Sequence, residues 1–165
     1  RDGAEALDLD RFVAHHREHL AGVAQEATVA HGVLALLVEP AHLLDVVHAL
    51  KDTFAFDMFL DVTAVDWPER EPRFDVVWHF YSTTHKVRVR LKTRVPESQP
   101  AVVSMLPHYG SAAFMERECH EMLGIRFRGN GDLRPILLYE GFVGHPLRKD
   151  YSQGRIPVQF KGSAS

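Results

Sequence analysis

The chain has 165 residues, of which 45% are hydrophobic and 25% charged, and its formal net charge is −3. Those proportions provide one globular domain with a single core and exclude a disordered or collagen-like chain. The longest apolar run, from Gly32 to Val38, is far below the ~18–20 residues of a spanning helix, so any membrane attachment is expected through partners. The single cysteine, Cys119, cannot form an intramolecular disulfide, nor by itself hold an iron–sulfur cluster or zinc, which take about four ligands. The opening residues Arg1–Glu5 lack the pattern of a secretory signal, and a reducing cytosol is expected.

In chain order, Leu9, Phe12, Val13, His16 and Leu20 fall at helical spacing, and Gly22 ends that first amphipathic helix. Val33–Val38 reads as a buried strand. Pro40 then suits the first turn of a second helix, with Leu43, Val46, Val47 and Leu50 on one face. Strand-like composition returns over 56–65, and two prolines make Trp67–Pro72 a loop. Phe74, Val76, Trp78 and Phe80 alternate with a second set of side chains, as do Val87, Val89, Leu91 and Val95. The four-residue link Ser82–His85 between these runs suits an antiparallel hairpin. The spacing next predicts a helix over Ala112–Leu123 with Ser111 as its cap, Met115, Cys119, Met122 and Leu123 as its apolar stripe, and Gly124 at its left-handed end.

Beyond that helix the texture changes. Residues 124–165 hold seven of the eleven glycines together with Phe127, Leu133, Ile136, Leu137, Leu138, Phe142 and Leu147, without periodicity. They carry seven basic and three acidic groups, against 12 basic and 19 acidic in residues 1–123, so the two parts are expected to have different neighbours. The fold class that results is α+β: a mostly antiparallel sheet with helices packed on one face, then a helix, then an extended irregular C-terminal arm. The units are a sheet domain over 1–105, a helix over 106–124 and a partner-binding tail over 125–165. An apolar ribbon of this kind needs burial partners: an arm laid over another protein is the simplest reading, and a long loop packed on its own domain is the other.

Candidate chemistry is sparse. His15, His16 and His19 include an i, i+4 pair, but the zinc-protease pattern requires Glu after the first histidine and here that place is His16. Cys119 and His120 are neighbours on a helix and point about 100° apart, which prevents a nucleophile–base hydrogen bond. Lys86, Arg88, Arg90, Lys92 and Arg94 form a positive row on one strand face; a stand-alone basic module binding an acidic ligand or nucleic acid is one reading, and the solvated half of an amphipathic strand is the plainer one. Arg117 and Glu121 have the spacing of an i, i+4 ion pair. No Gly-x-Gly-x-x-Gly and no phosphate loop occurs, so no NAD-binding motif is present.

Three blocks then carry a resemblance: Glu116-Arg117-Glu118-Cys119-His120-Glu121-Met122-Leu123-Gly124-Ile125, Asp132-Leu133-Arg134-Pro135-Ile136-Leu137, and Gly144-His145-Pro146-Leu147-Arg148-Lys149-Asp150-Tyr151. With Phe56–Asp66 and Arg73–Val77 upstream, they make the chain similar to the NuoC family of NADH:quinone oxidoreductase, the thirty-kilodalton subunits of respiratory complex I. It departs from the family at Gly129-Asn130-Gly131, where His and Pro are usual, and at His120, Leu123 and Ser152.

The resemblance implies a structural subunit of the peripheral arm of a proton-translocating complex, on the cytoplasmic face of a bacterial inner membrane. It implies no catalytic, cofactor or metal site on this chain. FMN, iron–sulfur clusters, NADH and quinone would belong to other subunits. The implied partners are the quinone-site subunit and neighbouring iron–sulfur subunits, with no nucleic acid. The implied interface or signature residues are Glu116, Arg117, Glu118, Gly124, Asp132, Leu133, Arg134, Gly144, His145, Pro146, Leu147, Arg148, Lys149, Asp150 and Tyr151. An equivalent scaffold in a membrane-bound [NiFe] hydrogenase or formate hydrogenlyase is the alternative.

Overall fold

A computed structural model describes residues 24–152. The first amphipathic helix and its histidines lie outside the described residues, as does the end of the C-terminal tail. The described residues begin with β1 (Ala24–Ala30) and β2 (Val33–Val38), continue through a 3-10 turn (Pro40–His42) into α1 (Leu43–His48), and leave it by a wide π-type turn (Ala49–Thr53). Next come β3 (Met58–Asp66), β4 (Phe74–Ser82), β5 (Val87–Val95), β6 (Ala101–Val103), α2 (Ala112–Leu123) and β7 (Arg126–Arg128).

Five strands form one sheet in the order β1-β2-β5-β4-β3, antiparallel throughout except for the parallel β2–β5 pair, and β6 and β7 form a second, parallel pair. The sheet is therefore mixed and mostly antiparallel. β4 and β5 keep continuous register from Phe74↔Val95 to Ser82↔Val87, which sets Phe74, Val76, Trp78 and Phe80 opposite Val95, Thr93, Leu91 and Val89 on one face. That face meets Leu43, Val46, Val47 and Leu50 of the α1 segment, and all of these side chains are buried in one core. Trp78 is completely buried, and its truncation to alanine would cost about 3–5 kcal/mol. α2 packs against β3 and closes the core with Cys119, Met122 and Leu123.

Three details differ from expectation. β1, Ala-Gln-Glu-Ala-Thr-Val-Ala, shows no apolar alternation because it is an edge strand with almost every residue exposed. Its only local signal is the two-residue turn His31-Gly32, both with positive φ (53° and 72°), the geometry of a tight hairpin. Lys86 falls in the turn before β5, at φ 56°, and so does not belong to the basic strand row. Ser111 makes no capping bond to α2; its hydroxyl donates to the Phe59 carbonyl at 3.3 Å, tying the helix start to β3.

Candidate functional site

The signature residues converge on the C-terminal end of α2. A helix end leaves carbonyls without intrahelical donors. Gly124 ends this helix at φ 77°, and its N–H donates to the His120 carbonyl at 2.8 Å. The next three carbonyls are met by donors from the arm. His145 donates from Nδ1 to Glu121 at 2.9 Å, the Leu147 N–H to Met122 at 3.0 Å, and Arg148 from Nε to Leu123 at 2.7 Å. Gly124 is also the only residue type that fits, because a Cβ there would run into Arg148 Nη2 and lie 2.6 Å from the His145 ring. Gly144, at φ 99°, lets the arm turn against Tyr151, whose ring would be 2.6 Å from an added Cβ. Half-buried Pro146 stands between His145 and Leu147 in this turn. The Gly144–Tyr151 block is thus an internal clasp that caps α2.

Carboxylates pin the arm on either side of the clasp. Glu121, 6% exposed, accepts the backbone N–H groups of Ile136, Leu137 and Leu138 at 3.0, 2.9 and 2.7 Å. Burial alone would raise its affinity for a proton, but those three bonds together hold the carboxyl below its ordinary range. Asp66, at the end of β3, accepts the Lys149 N–H at 2.8 Å and two bonds from Arg73 at 2.7 and 2.9 Å. Arg73 also meets Glu97 at 2.6 Å and Asp150 at 2.9 Å. The hydrogen bonds from Arg73 keep both Asp66 and Asp150 below the usual carboxylate range, and Asp66, then Asp150, raises the guanidinium in return. Arg73 and Arg148 lie 5.0 and 5.1 Å from the buried Phe74 ring, and Lys149 lies 5.3 Å from Trp67.

The other signature residues are placed around the same turn. Glu116 is fully buried and accepts from Ser104 Oγ (2.7 Å), the Met105 N–H (2.6 Å) and Asn130 Nδ2 (2.9 Å). Asn130 thus supplies a neutral donor where the family usually has another residue. Arg117 does not pair with Glu121. It donates to the carbonyls of Arg134 (2.9 Å) and Pro135 (3.1 Å), with Asp132 at 3.7 Å. Asp132 and Arg134 form an exposed pair at 2.8 Å, and the bonds from Arg134 depress the Asp132 carboxyl. Leu133 packs half-buried against the core, and Glu118 is exposed. Asp66, Arg73 and Glu121 belong to the site although neither composition nor spacing assigned them to it. Their partners lie up to 83 residues away, beyond the reach of local pattern.

While the clasp donors face α2, the arm presents large apolar groups outward: Leu137 is 62% exposed, Tyr139 72%, Val143 84% and Leu147 59%. Phe114 on α2 is exposed as well. Exposed apolar groups gathered on one segment mark an interaction surface. The Cys119 thiol is buried and held protonated by burial above all, and His120 gives its Nδ1 to the Ile125 carbonyl at 2.9 Å, so the two are not a catalytic pair. Burial lowers the proton affinity of His120. On the basic strand, Arg94 lies 3.6 Å from Asp75, and Arg90 Nε is buried without an acceptor. Among the described residues no group of His, Cys, Asp and Glu could hold a metal ion.

Fold and site together define an α+β module whose C-terminal arm is fastened from beneath by a polar clasp. Residues 36–156 match the model of the respiratory-chain NADH dehydrogenase 30 Kd subunit. The NADH-quinone oxidoreductase C subunit of Xanthobacter autotrophicus is 41% identical over 155 residues, covering 92% of this chain and 74% of that protein. Its counterpart in Rhodobacter capsulatus is 41% identical over 157 residues, covering 92% and 77%. Among solved structures, the trypsin-resistant fragment (1–134) of Nqo5 superposes with a TM-score of 0.64 at 25% identity, covering 76% of this chain and 98% of the fragment. A chain of the membrane-bound sulfane sulfur reductase, an archaeal respiratory membrane complex, shares the fold at a TM-score of 0.77 and 24% identity, over 88% of this chain and 87% of that one. The chain belongs to the 30 Kd subunit family of respiratory-chain NADH dehydrogenase, the NuoC type of complex I.

Proposed function

We propose that the chain is a non-catalytic structural subunit of the peripheral arm of a proton-translocating NADH:quinone oxidoreductase, and that it docks onto the quinone-site subunit through the outer side of its C-terminal arm. The observation that carries this reading is the division of the arm. Its polar groups and backbone are bound to α2, Asp66 and Glu121, while Leu137, Tyr139, Val143 and Leu147 face outward. A clasp of this kind pre-orders the segment, which lowers the entropy cost of association. The signature residues act through this fastening, so most of them position the interface and do not touch the partner. The working units are the sheet domain over 1–105, the helix over 106–124 and the arm over 125–165, in which β7 joins the arm to β6.

In this reading FMN, iron–sulfur clusters, NADH and quinone are held by other subunits, neighbouring iron–sulfur subunits complete the contacts, and the chain sits on the cytoplasmic face of a bacterial membrane. No helix of the described residues is long and apolar enough to cross a membrane. The test is recovery of the tagged full chain from gently solubilised membranes of its source cell, with mass spectrometry of what accompanies it. A quinone-site subunit together with the NADH-oxidising flavoprotein supports the reading. A nickel-binding hydrogenase large subunit in their place overturns it in favour of a hydrogenase-type scaffold.

A further inference from the structure

The parallel pair β6–β7 forms one wall of a cleft that reaches Gly124 at its edge but includes none of the clasp donors His145, Leu147 and Arg148. The cleft measures about 790 Å³ and is lined by Ser98, Gln99, His120, Arg126, Arg128 and Asn130 among others, with no aspartate or glutamate. That volume lies within the ~300–1,000 Å³ of ligand-binding clefts. Phe127 is buried in the core, so strand alternation turns Arg126 and Arg128 together to the opposite, exposed side. Arg70, Arg73, Arg117 and Arg134 all meet carboxylates. Neither Arg126 nor Arg128 forms an ion pair among the described residues. His120 uses Nδ1 on the Ile125 carbonyl, which leaves Nε2 for the cleft.

We propose that this cleft is a second docking site, shaped for a carboxylate-bearing segment of a neighbouring subunit in the same complex. The inference rests on the reading that the chain works within such a complex. Two arginines two positions apart on a parallel strand repeat at about 6.6 Å, twice the rise per residue. An extended segment with acidic side chains at alternate positions repeats at the same distance, and guanidinium groups receive carboxylates with two parallel bonds. A single inorganic anion would leave most of the cleft to solvent, since one water takes only ~30 Å³. Glu118 of α2 lines a separate pocket with Asp61 and Thr63 of β3, and the other carboxylates of α2 and the following loop are engaged elsewhere. Glu116 is held by Ser104, Met105 and Asn130, Glu121 by three backbone N–H groups, and Asp132 by Arg134.

The test uses the full chain carrying Arg126→Lys and Arg128→Lys, assembled in its complex and treated with a zero-length carbodiimide. This reagent joins an amine to a carboxylate in contact with it, forming an amide with loss of water. Mass spectrometry is expected to find position 126 or 128 joined to an aspartate or glutamate of another subunit, and the product is expected to vanish in Arg126→Gln with Arg128→Gln. Arg126→Glu with Arg128→Glu is expected to lower the chain's occupancy in the complex at least roughly tenfold at about 0.15 M salt. Coupling only within the chain, or free reaction of both positions with an added amine reagent in the assembled complex, overturns the proposal. Protection that disappears on delipidation assigns the cleft to lipid headgroups and also overturns it. A chain that enters no complex fails the functional reading as well; a chain that enters with the cleft open fails this inference alone.

Discussion

Replacing Gly124 by alanine probes the clasp with a single carbon atom. Gly124 sits at φ 77°, where an L-residue costs about 1–2 kcal/mol. The added Cβ collides with Arg148 Nη2 and with the His145 ring at 2.6 and 2.7 Å. The buried core offers no room for the helix end to shift, so the arm must yield, forfeiting the bonds from His145, Leu147 and Arg148 to α2. At about 0.5–1.5 kcal/mol for each net hydrogen bond, with the backbone cost, the total is about 2.5–6.5 kcal/mol, and most of it falls on the arm. Native-state hydrogen exchange is the suitable assay. The Leu147 amide is expected to lose at least tenfold in protection, each factor of ten being about 1.4 kcal/mol. Amides of β4 and β5 are expected to keep theirs relative to a global unfolding event. Gly131→Ala is the control, because nothing lies within 4 Å of a Cβ there and its φ is not positive. That change is expected to be neutral or stabilising by up to about 1 kcal/mol. Equal effects of the two substitutions would refute the clasp as the reason for glycine at 124.

Arg73→Ala deprives the buried Asp66 of its paired guanidinium and is expected to destabilise the full chain by about 3–5 kcal/mol in urea unfolding. The pH dependence follows from depressed carboxyls. Asp66, Glu121 and Asp150 bind fewer protons when folded than when unfolded, so their contribution is complete above the ordinary carboxyl range and is lost as pH falls below about 4. Arm protection measured between pH 6 and pH 3 is expected to fall toward acid, with a flatter profile in Asp66→Asn; protection that rises toward acid would contradict the assignment. Leu137→Ser combined with Val143→Ser alters side chains that are 62% and 84% exposed. Such surface changes are expected to shift isolated stability by less than about 0.5 kcal/mol each. Their assembly with the quinone-site subunit is expected to weaken by about 100-fold, from roughly 1.5 kcal/mol lost per apolar side chain.

Period-2 patterning made β5 legible because a strand buried on one face writes its burial directly into alternate residues, and β4 was legible from its alternating aromatic face although Asp75 and Val77 on its other face are buried as well. The helix from Ala112 to Leu123 was legible for a different reason, since Gly124 marks its end. β1 was not legible, because all of it but Ala24 is exposed and it owes its conformation to pairing with β2. The candidate site was legible as motif but not as geometry. Nothing in Gly144–Tyr151 tells a reader that His145, Leu147 and Arg148 cap α2, since that requires knowing that the arm doubles back over 20 residues. Arg117 and Glu121 show the limit of spacing rules. Their i, i+4 relation suggests a pair, yet both turn to the backbone of 134–138, where charge-assisted bonds are worth more than an exposed ion pair.

If the outer side of the clasped arm is the face that meets the quinone-site subunit, assembly must cover it. Hydrogen exchange of residues 136–147 in the full chain alone and in the assembled complex reads that burial, with photocross-linkers at positions 137 and 143 to name the neighbour. The segment is expected to gain protection on assembly, and both positions are expected to cross-link to the quinone-site subunit. Unchanged exchange at 136–147, or cross-links from both positions to a different subunit, would contradict the docking assignment.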